Sequence, residues 1–183
     1  MRKIQISSLR EVVDNINYIK KNDINLISIR NTQPVPEYDI IDNAGLKNLL
    51  VIKFDDLEAA IPEQYNRTEK PPEENDIKNI LNWSKQKMQE NNNGFIIHCT
   101  AGISRSSAVA ILVNYLQDPE NAIKVINPML HWPNKKVLEL GEKILENRNL
   151  KEKTLKVMED NEQDFWDNKE KEYDEKVKNL FQK

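Results

Sequence analysis

Apolar residues recur along this chain with two different spacings, and the switches between them mark its elements. Ser8 to Glu11 reads as a capping box, in which serine and glutamate side chains each take the other's backbone amide. Leu9, Val12, Val13, Ile16 and Ile19 then follow at helical spacing, until Asn22-Asp23 breaks the helix. Ile24 to Ile29 and Leu49 to Phe54 are β-prone runs short enough to be buried strands. Pro34 to Asp42 joins them with turn chemistry, and Asp55 to Pro72, rich in acids and prolines, is loop-like.

A helix is predicted from about Glu73 to Glu90, with Ile77, Ile80, Leu81 and Met88 on one side and Asn91-Asn92-Asn93-Gly94 as its stop. Phe95 to His98 is a brief apolar strand that runs straight into Cys99. From Arg105, the run Ser106 to Val113 has no turn residue and predicts a mostly buried helix. Asp118-Pro119 pairs an N-cap with a proline at the first helical position, predicting a short helix that stops before Pro128. Asn134 opens another, carrying Val137, Leu138, Gly141, Ile144 and Leu145. Strands alternating with helices predict an α/β fold, a central and mostly parallel sheet flanked by helices.

The character of the chain changes after about Asn149. Residues 1–148 read as one domain, and 149–183 as a charged helical extension packed on it or projecting from it. Leu155, Met158, Phe165, Trp166, Tyr173, Val177 and Leu180 give that extension one packed stripe on a solvated helix. The alternative is a surface for a partner or for self-association.

Composition narrows the function classes. A chain of 183 residues can bury one sizeable core and is too short for two ordinary domains. A net charge of −3 with no sustained basic patch argues against a nucleic-acid partner. One cysteine rules out an internal disulfide, and with two histidines it makes a cysteine-rich metal site implausible. A lone thiol suits a reducing compartment. Met1 to Gln5 offers no signal-peptide core and no segment approaches a membrane span, so a cytoplasmic protein without a membrane partner is expected.

The chemistry concentrates in His98-Cys99-Thr100-Ala101-Gly102-Ile103-Ser104-Arg105-Ser106, between a predicted strand and a predicted helix. From Thr100 to Arg105 the backbone can curl so that its N–H groups converge above the first helical turn, a nest for an oxyanion. Gly102 permits the torsions and close approach of such a loop. The same positive field favours the anionic form of a sulfur held in it. The planar guanidinium of Arg105 can bind two phosphate oxygens at once, which lysine cannot copy. Ser106 can hydrogen-bond the sulfur, and His98 is better placed to fix the loop from behind than to move protons. A leaving oxygen needs a proton, and Asp55 and Asp56, directly after the strand ending at Phe54, would stand at the same sheet edge as Cys99.

This string resembles the His-Cys-x5-Arg-Ser signature of the cysteine-based protein tyrosine phosphatase superfamily. Ala101-Gly102-x-Ser104-Arg105-Ser106 is similar to its dual-specificity branch. The resemblance runs from about Ile24 to Leu145. It implies the cysteine-phosphatase fold, Cys99 as nucleophile, Thr100 to Arg105 as phosphate loop and Asp56, ahead of Asp55, as general acid. The branch also carries a Pro-Asn pair opening a later helix, which Pro133-Asn134 resembles, so Asn134 is expected to support the loop. Trp132-Pro133-Asn134 is most similar to compact bacterial and viral members. The chain lacks the extra phosphotyrosine-recognition loop of the larger tyrosine-specific enzymes, so a shallower pocket is implied. No lysine stands within the loop, unlike phosphoinositide-specific relatives.

The expected activity is hydrolysis of phosphotyrosine, with phosphoserine and phosphothreonine left open, on a phosphorylated protein through a phosphocysteine intermediate. No cofactor or metal is called for, since Arg105 and the loop amides supply the positive charge. The alternatives are a catalytically silent phospho-binding module, and an RNA 5′-phosphatase or phosphoinositide phosphatase using the same chemistry.

Overall fold

The computed structural model describes residues 1–58 and 68–181, with side chains as far as residue 173. Among them, strands β1 (Ile4–Ser8), β2 (Asn25–Arg30), β3 (Leu49–Lys53) and β4 (Phe95–Cys99) form one sheet in the order β1-β4-β2-β3. Every pairing is parallel. β4 lies between β1 and β2, with Phe95 opposite both Ile4 and Asn25, and all five of its residues are buried. A strand covered on both faces needs an apolar run rather than an alternation, which is what Phe95-Ile96-Ile97 provides.

The pleat divides the core in two. Leu26 and Ile96 face a layer made by α1 (Leu9–Asp14), α2 (Ile16–Lys21) and α3 (Glu37–Asn43), with Leu9, Val12, Ile19, Tyr38 and Ile41 packed around them. Their neighbours Ile27, Ile29, Phe95 and Ile97 face the larger cluster on the other side. That cluster is built from α4 (Glu74–Glu90), α5 (Arg105–Tyr115), α6 (Lys135–Leu145) and α7 (Leu150–Glu159), and a last helix, α8 (Glu162–Phe181), follows. α5 buries ten of its eleven residues, from Arg105 to Asn114. The α/β architecture with a parallel sheet is as the sequence predicts.

Several local expectations are corrected. β1 was not anticipated: it is an edge strand whose side chains alternate, Ile4 and Ile6 toward the core and Gln5 exposed. The capping box at Ser8 forms, but the helix it starts ends at Asp14 instead of running to Ile19. The Asn15 amide and its side-chain Nδ2 both donate to Glu11 O, the latter at 2.8 Å, and this local bonding competes with helix propagation. Pro34 to Asp42 is not simply a connection, because α3 begins at Glu37. Arg30, 5% exposed, anchors it through a paired contact with Asp42 (2.6 and 2.8 Å) and lies 4.7 Å from the Tyr38 ring centroid. That hydrogen bond holds the Asp42 carboxyl below its usual range. The helix predicted at Asp118-Pro119 is only a 3-10 turn, Ala122–Val125, since Asp118 takes the Asn121 amide at 3.3 Å and closes a turn first. The extension after Asn149 is two helices rather than one. α7 packs on the domain through Leu150 and Met158, which join the larger core cluster. The middle of the Asp55–Pro72 stretch, residues 59–67, and the Val177 and Leu180 side chains lie outside the described residues.

α5 and α6 touch at a glycine. A Cβ on Gly141 would lie 2.3 Å from Leu112 Cδ2, and Leu112 is fully buried. Gly→Ala inside a helix ordinarily gains about 1 kcal/mol, whereas overpacking a core costs about 1–3 kcal/mol. The second effect wins here. Gly141→Ala is expected to lower the urea midpoint, and in a Leu112→Ala background, where the obstructing methyls are gone, the same change should raise it.

Candidate active site

Cys99 ends β4, Arg105 begins α5, and the residues between them form a loop seated on the end of β1. Gly102 has φ +75°, and a Cβ there would lie 2.8 Å from both Ser7 C and Ser8 N, so both torsion and space demand glycine. Three of the loop's carbonyls are taken from outside. Leu9 N donates to Thr100 O (3.2 Å), Trp132 N to Ile103 O (3.0 Å) and Asn134 N to Ser104 O (3.2 Å). Ser107 Oγ donates to the Ile103 and Ser104 carbonyls as well. A planar peptide whose C=O is drawn outward turns its N–H inward. Ser104 is the N-cap of α5 without a side-chain cap bond, which leaves the first-turn amides of α5 open.

Arg105, 4% exposed, is held rigidly inside this curl. Nη1 donates to Phe54 O (2.8 Å) and Nη2 to Thr100 Oγ1 (3.2 Å). Thr100 Oγ1 in turn donates to Asn31 Oδ1 at 3.2 Å, which aims its lone pairs at the guanidinium. Nε is buried and has no acceptor among the described residues. A charged donor left unsatisfied in the interior is expensive, so Nε is available to an anionic oxygen that enters the loop. Cys99, 2% exposed, places its sulfur 3.3 Å from Ser106 Oγ.

The neighbouring aspartates divide in two. Asp55 is turned inward and accepts from Thr32 N (3.2 Å), from Thr32 Oγ1 and from Lys70 N (3.1 Å). Asp56 is exposed, and its Oδ1 accepts from Ser104 Oγ (2.7 Å) and Asn134 Nδ2 (2.8 Å). Asn134 does two jobs at once, because its Oδ1 also caps α6 by accepting from Val137 N at 3.0 Å. The loop, Asp56 and Asn134 are therefore brought together, while Asp55 is a brace for the strand-to-loop junction.

His98 lies fully buried behind the cysteine, with Nδ1 3.3 Å from Cys99 O. The carbonyl can only accept, so Nδ1 carries the hydrogen, and Nε2 has no partner among the described residues. Burial lowers its pKa to about 4, with the Arg30 and Arg105 charges acting in the same direction against the Cys99 carbonyl bond. It is neutral and structural. Asn31, Thr32 and the Phe54 carbonyl were not foreseen as parts of the site. The sheet-edge argument that singled out Asp55 and Asp56 also applies to Asn31 and Thr32, which directly follow β2.

No family model matches the chain and no curated protein sequence is similar to it. Solved structures do resemble it in fold: its parallel sheet and flanking helices match those of dual-specificity-phosphatase-like structures. Human DUSP28 superposes with a TM-score of 0.52 at 14% identity, covering 78% of this chain and 91% of that one. DUSP15 gives 0.51 at 14%, covering 85% and 92%. PTPMT1 in complex with PI(5)P gives 0.51 at 13%, covering 85% and 96%. At these identities the likeness is one of fold. Among the described residues, no helix is long and apolar enough to cross a membrane.

Two stability predictions follow from these environments. Asp55→Ala strips acceptors from Thr32 and Lys70 and should lower unfolding free energy by about 1–3 kcal/mol, while Asp56→Ala changes it by less than about 1 kcal/mol. Urea denaturation of the two variants compares them directly. Because His98 titrates near 4 when folded and near 6.5 when unfolded, the unfolded chain binds its proton first as pH falls. Stability is thus fullest above about 6.5 and declines by about 1.4 kcal/mol per pH unit from this residue as pH drops toward about 4. His98→Gln should remove that share of the slope in denaturation curves taken from pH 7 downward.

Proposed function

We propose that this chain is a phosphomonoesterase that hydrolyses phosphotyrosine on protein substrates through a phosphocysteine intermediate. The observation that carries the reading is the buried Nε of Arg105, without an acceptor among the described residues, at a loop whose Thr100, Ile103 and Ser104 carbonyls are bonded to amides outside it. In this mechanism the phosphoryl group sits among the loop amides from Thr100 to Arg105. Cys99 Sγ attacks phosphorus, the ester P–O bond breaks, and Asp56 gives its proton to the leaving oxygen. Water then attacks phosphorus while Asp56 takes a proton from it, and the P–S bond breaks to release phosphate. Ser106 Oγ, 3.3 Å from the sulfur, is placed to hydrogen-bond the departing thiolate. Arg105 meets the equatorial oxygens, where charge spreads in the transition state. Asn134 and Ser104 keep Asp56 over the loop.

The substrate class rests on the loop itself: no lysine stands among Thr100, Ala101, Ile103 and Ser104, so a headgroup with several phosphates would find no second cation within it. PTPMT1 was solved with PI(5)P, so a phosphoinositide is the second reading and belongs in the same substrate panel. Turnover also separates an enzyme from a binding module that keeps the pocket.

The expected result is hydrolysis of an aryl phosphate and of a phosphotyrosyl peptide with chelator present, abolished in Cys99→Ser. Full activity in that variant would reject the mechanism. Asp56→Ala should slow substrates with poor leaving groups about 10²-fold or more and spare those with good ones. If Asp55→Ala alone shows that pattern in the folded protein, the acid has been misassigned. Faster turnover of PI(5)P than of the phosphopeptide would move the substrate to lipid.

A further inference from the structure

The stretch from Asn127 to Asn134 is neither helix nor strand, and each of its sides is engaged. Its inner side grips the site: Trp132 N and Asn134 N hold the Ile103 and Ser104 carbonyls, and Asn134 Nδ2 holds Asp56. Within the stretch, Leu130 N and His131 N donate to Asn127 O, and Asn127 N donates to His131 Nδ1 at 2.9 Å. Burial lowers the His131 pKa to about 4, which suits an imidazole serving as acceptor.

The outer side lies against α8. The Trp132 ring centroid is 5.1 Å from Phe165 and 6.1 Å from Trp166, and those two meet edge to face at 5.1 Å. Phe165 is 3% exposed on a helix whose described neighbours are mostly solvated. Asn168 Nδ2 adds a bond to Met129 O at 3.3 Å.

We propose that α8 is a buttress of the active site, with Phe165 and Trp166 as positioning residues that fix Trp132 and, through it, the amides that shape the phosphate loop and steady Asp56. The charged extension is then a working part of the site. Its kinetic consequence rests on the phosphatase reading, but its effect on oxyanion binding rests on loop geometry alone. Shifting reacting groups by about 1 Å can lower a rate by up to about 10²-fold, so a partial loosening should be felt as about tenfold.

The test uses the full chain, with inorganic tungstate as a tetrahedral oxyanion and an aryl phosphate as substrate. Phe165→Ala and Trp166→Ala should each weaken tungstate binding about tenfold by calorimetry and lower kcat similarly with KM within about twofold. Phe165→Leu should recover most of both. Trp166 is 54% exposed, so its variant keeps the fold and decides the matter if Phe165→Ala unfolds. Lower melting temperatures with unchanged tungstate affinity and kcat would mean plain packing and overturn the proposal. If the unaltered protein binds tungstate but turns over no phosphate ester, the functional reading fails, and the buttress is still judged by tungstate affinity across the variants.

Discussion

The site depends on three backbone amides that lie outside its phosphate loop. Leu9, Trp132 and Asn134 each donate a backbone hydrogen to a carbonyl of the Cys99–Arg105 loop. Because a peptide is planar, each of those bonds turns a peptide around and points its N–H inward. The concentration of positive dipoles is thus imposed from outside, by the start of α1 and the approach to α6. The same logic governs Arg105. Phe54 O and Thr100 Oγ1 fix its plane, and Nε is left without an acceptor among the described residues.

Asp55 and Asp56 illustrate how one step along the chain exchanges inside for outside. The backbone bends at Asp56, with Leu57 N donating to Asp55 O at 2.9 Å. Asp55 is surrounded by donors from Thr32 and Lys70, while Asp56 is exposed and takes Ser104 and Asn134 on Oδ1. A carboxylate so enclosed stiffens a junction. One left accessible can exchange protons with whatever enters.

Much of this was legible in the residues. The strand into Cys99, the glycine at position 102, the helix from Arg105 and the cap at Asn134 each follow from short-range chemistry, and each stands where the pattern puts it. What escaped detection is long-range. β1 alternates apolar with polar residues instead of running apolar, and becomes a strand by pairing with β4. α3 was obscured by the prolines before it, and is held by Arg30 and Asp42, a pair visible only in three dimensions. The break at Asn15 is the reverse case, a local side-chain bond that interrupted a good apolar period. In the sequence, Trp132 stood out only through the Trp132-Pro133-Asn134 resemblance, and its backbone hydrogen bond to Ile103 is visible only in three dimensions.

The pairing of Ser8 with Cys99 also bears on how the chain comes into being. The cradle joins segments from opposite halves of the polypeptide, and contacts of that kind form late because loop closure must come first. During synthesis Cys99 follows β1, β2 and β3 but precedes Trp132 and Asn134, so the loop after it gains its full set of outside bonds only once the approach to α6 has emerged.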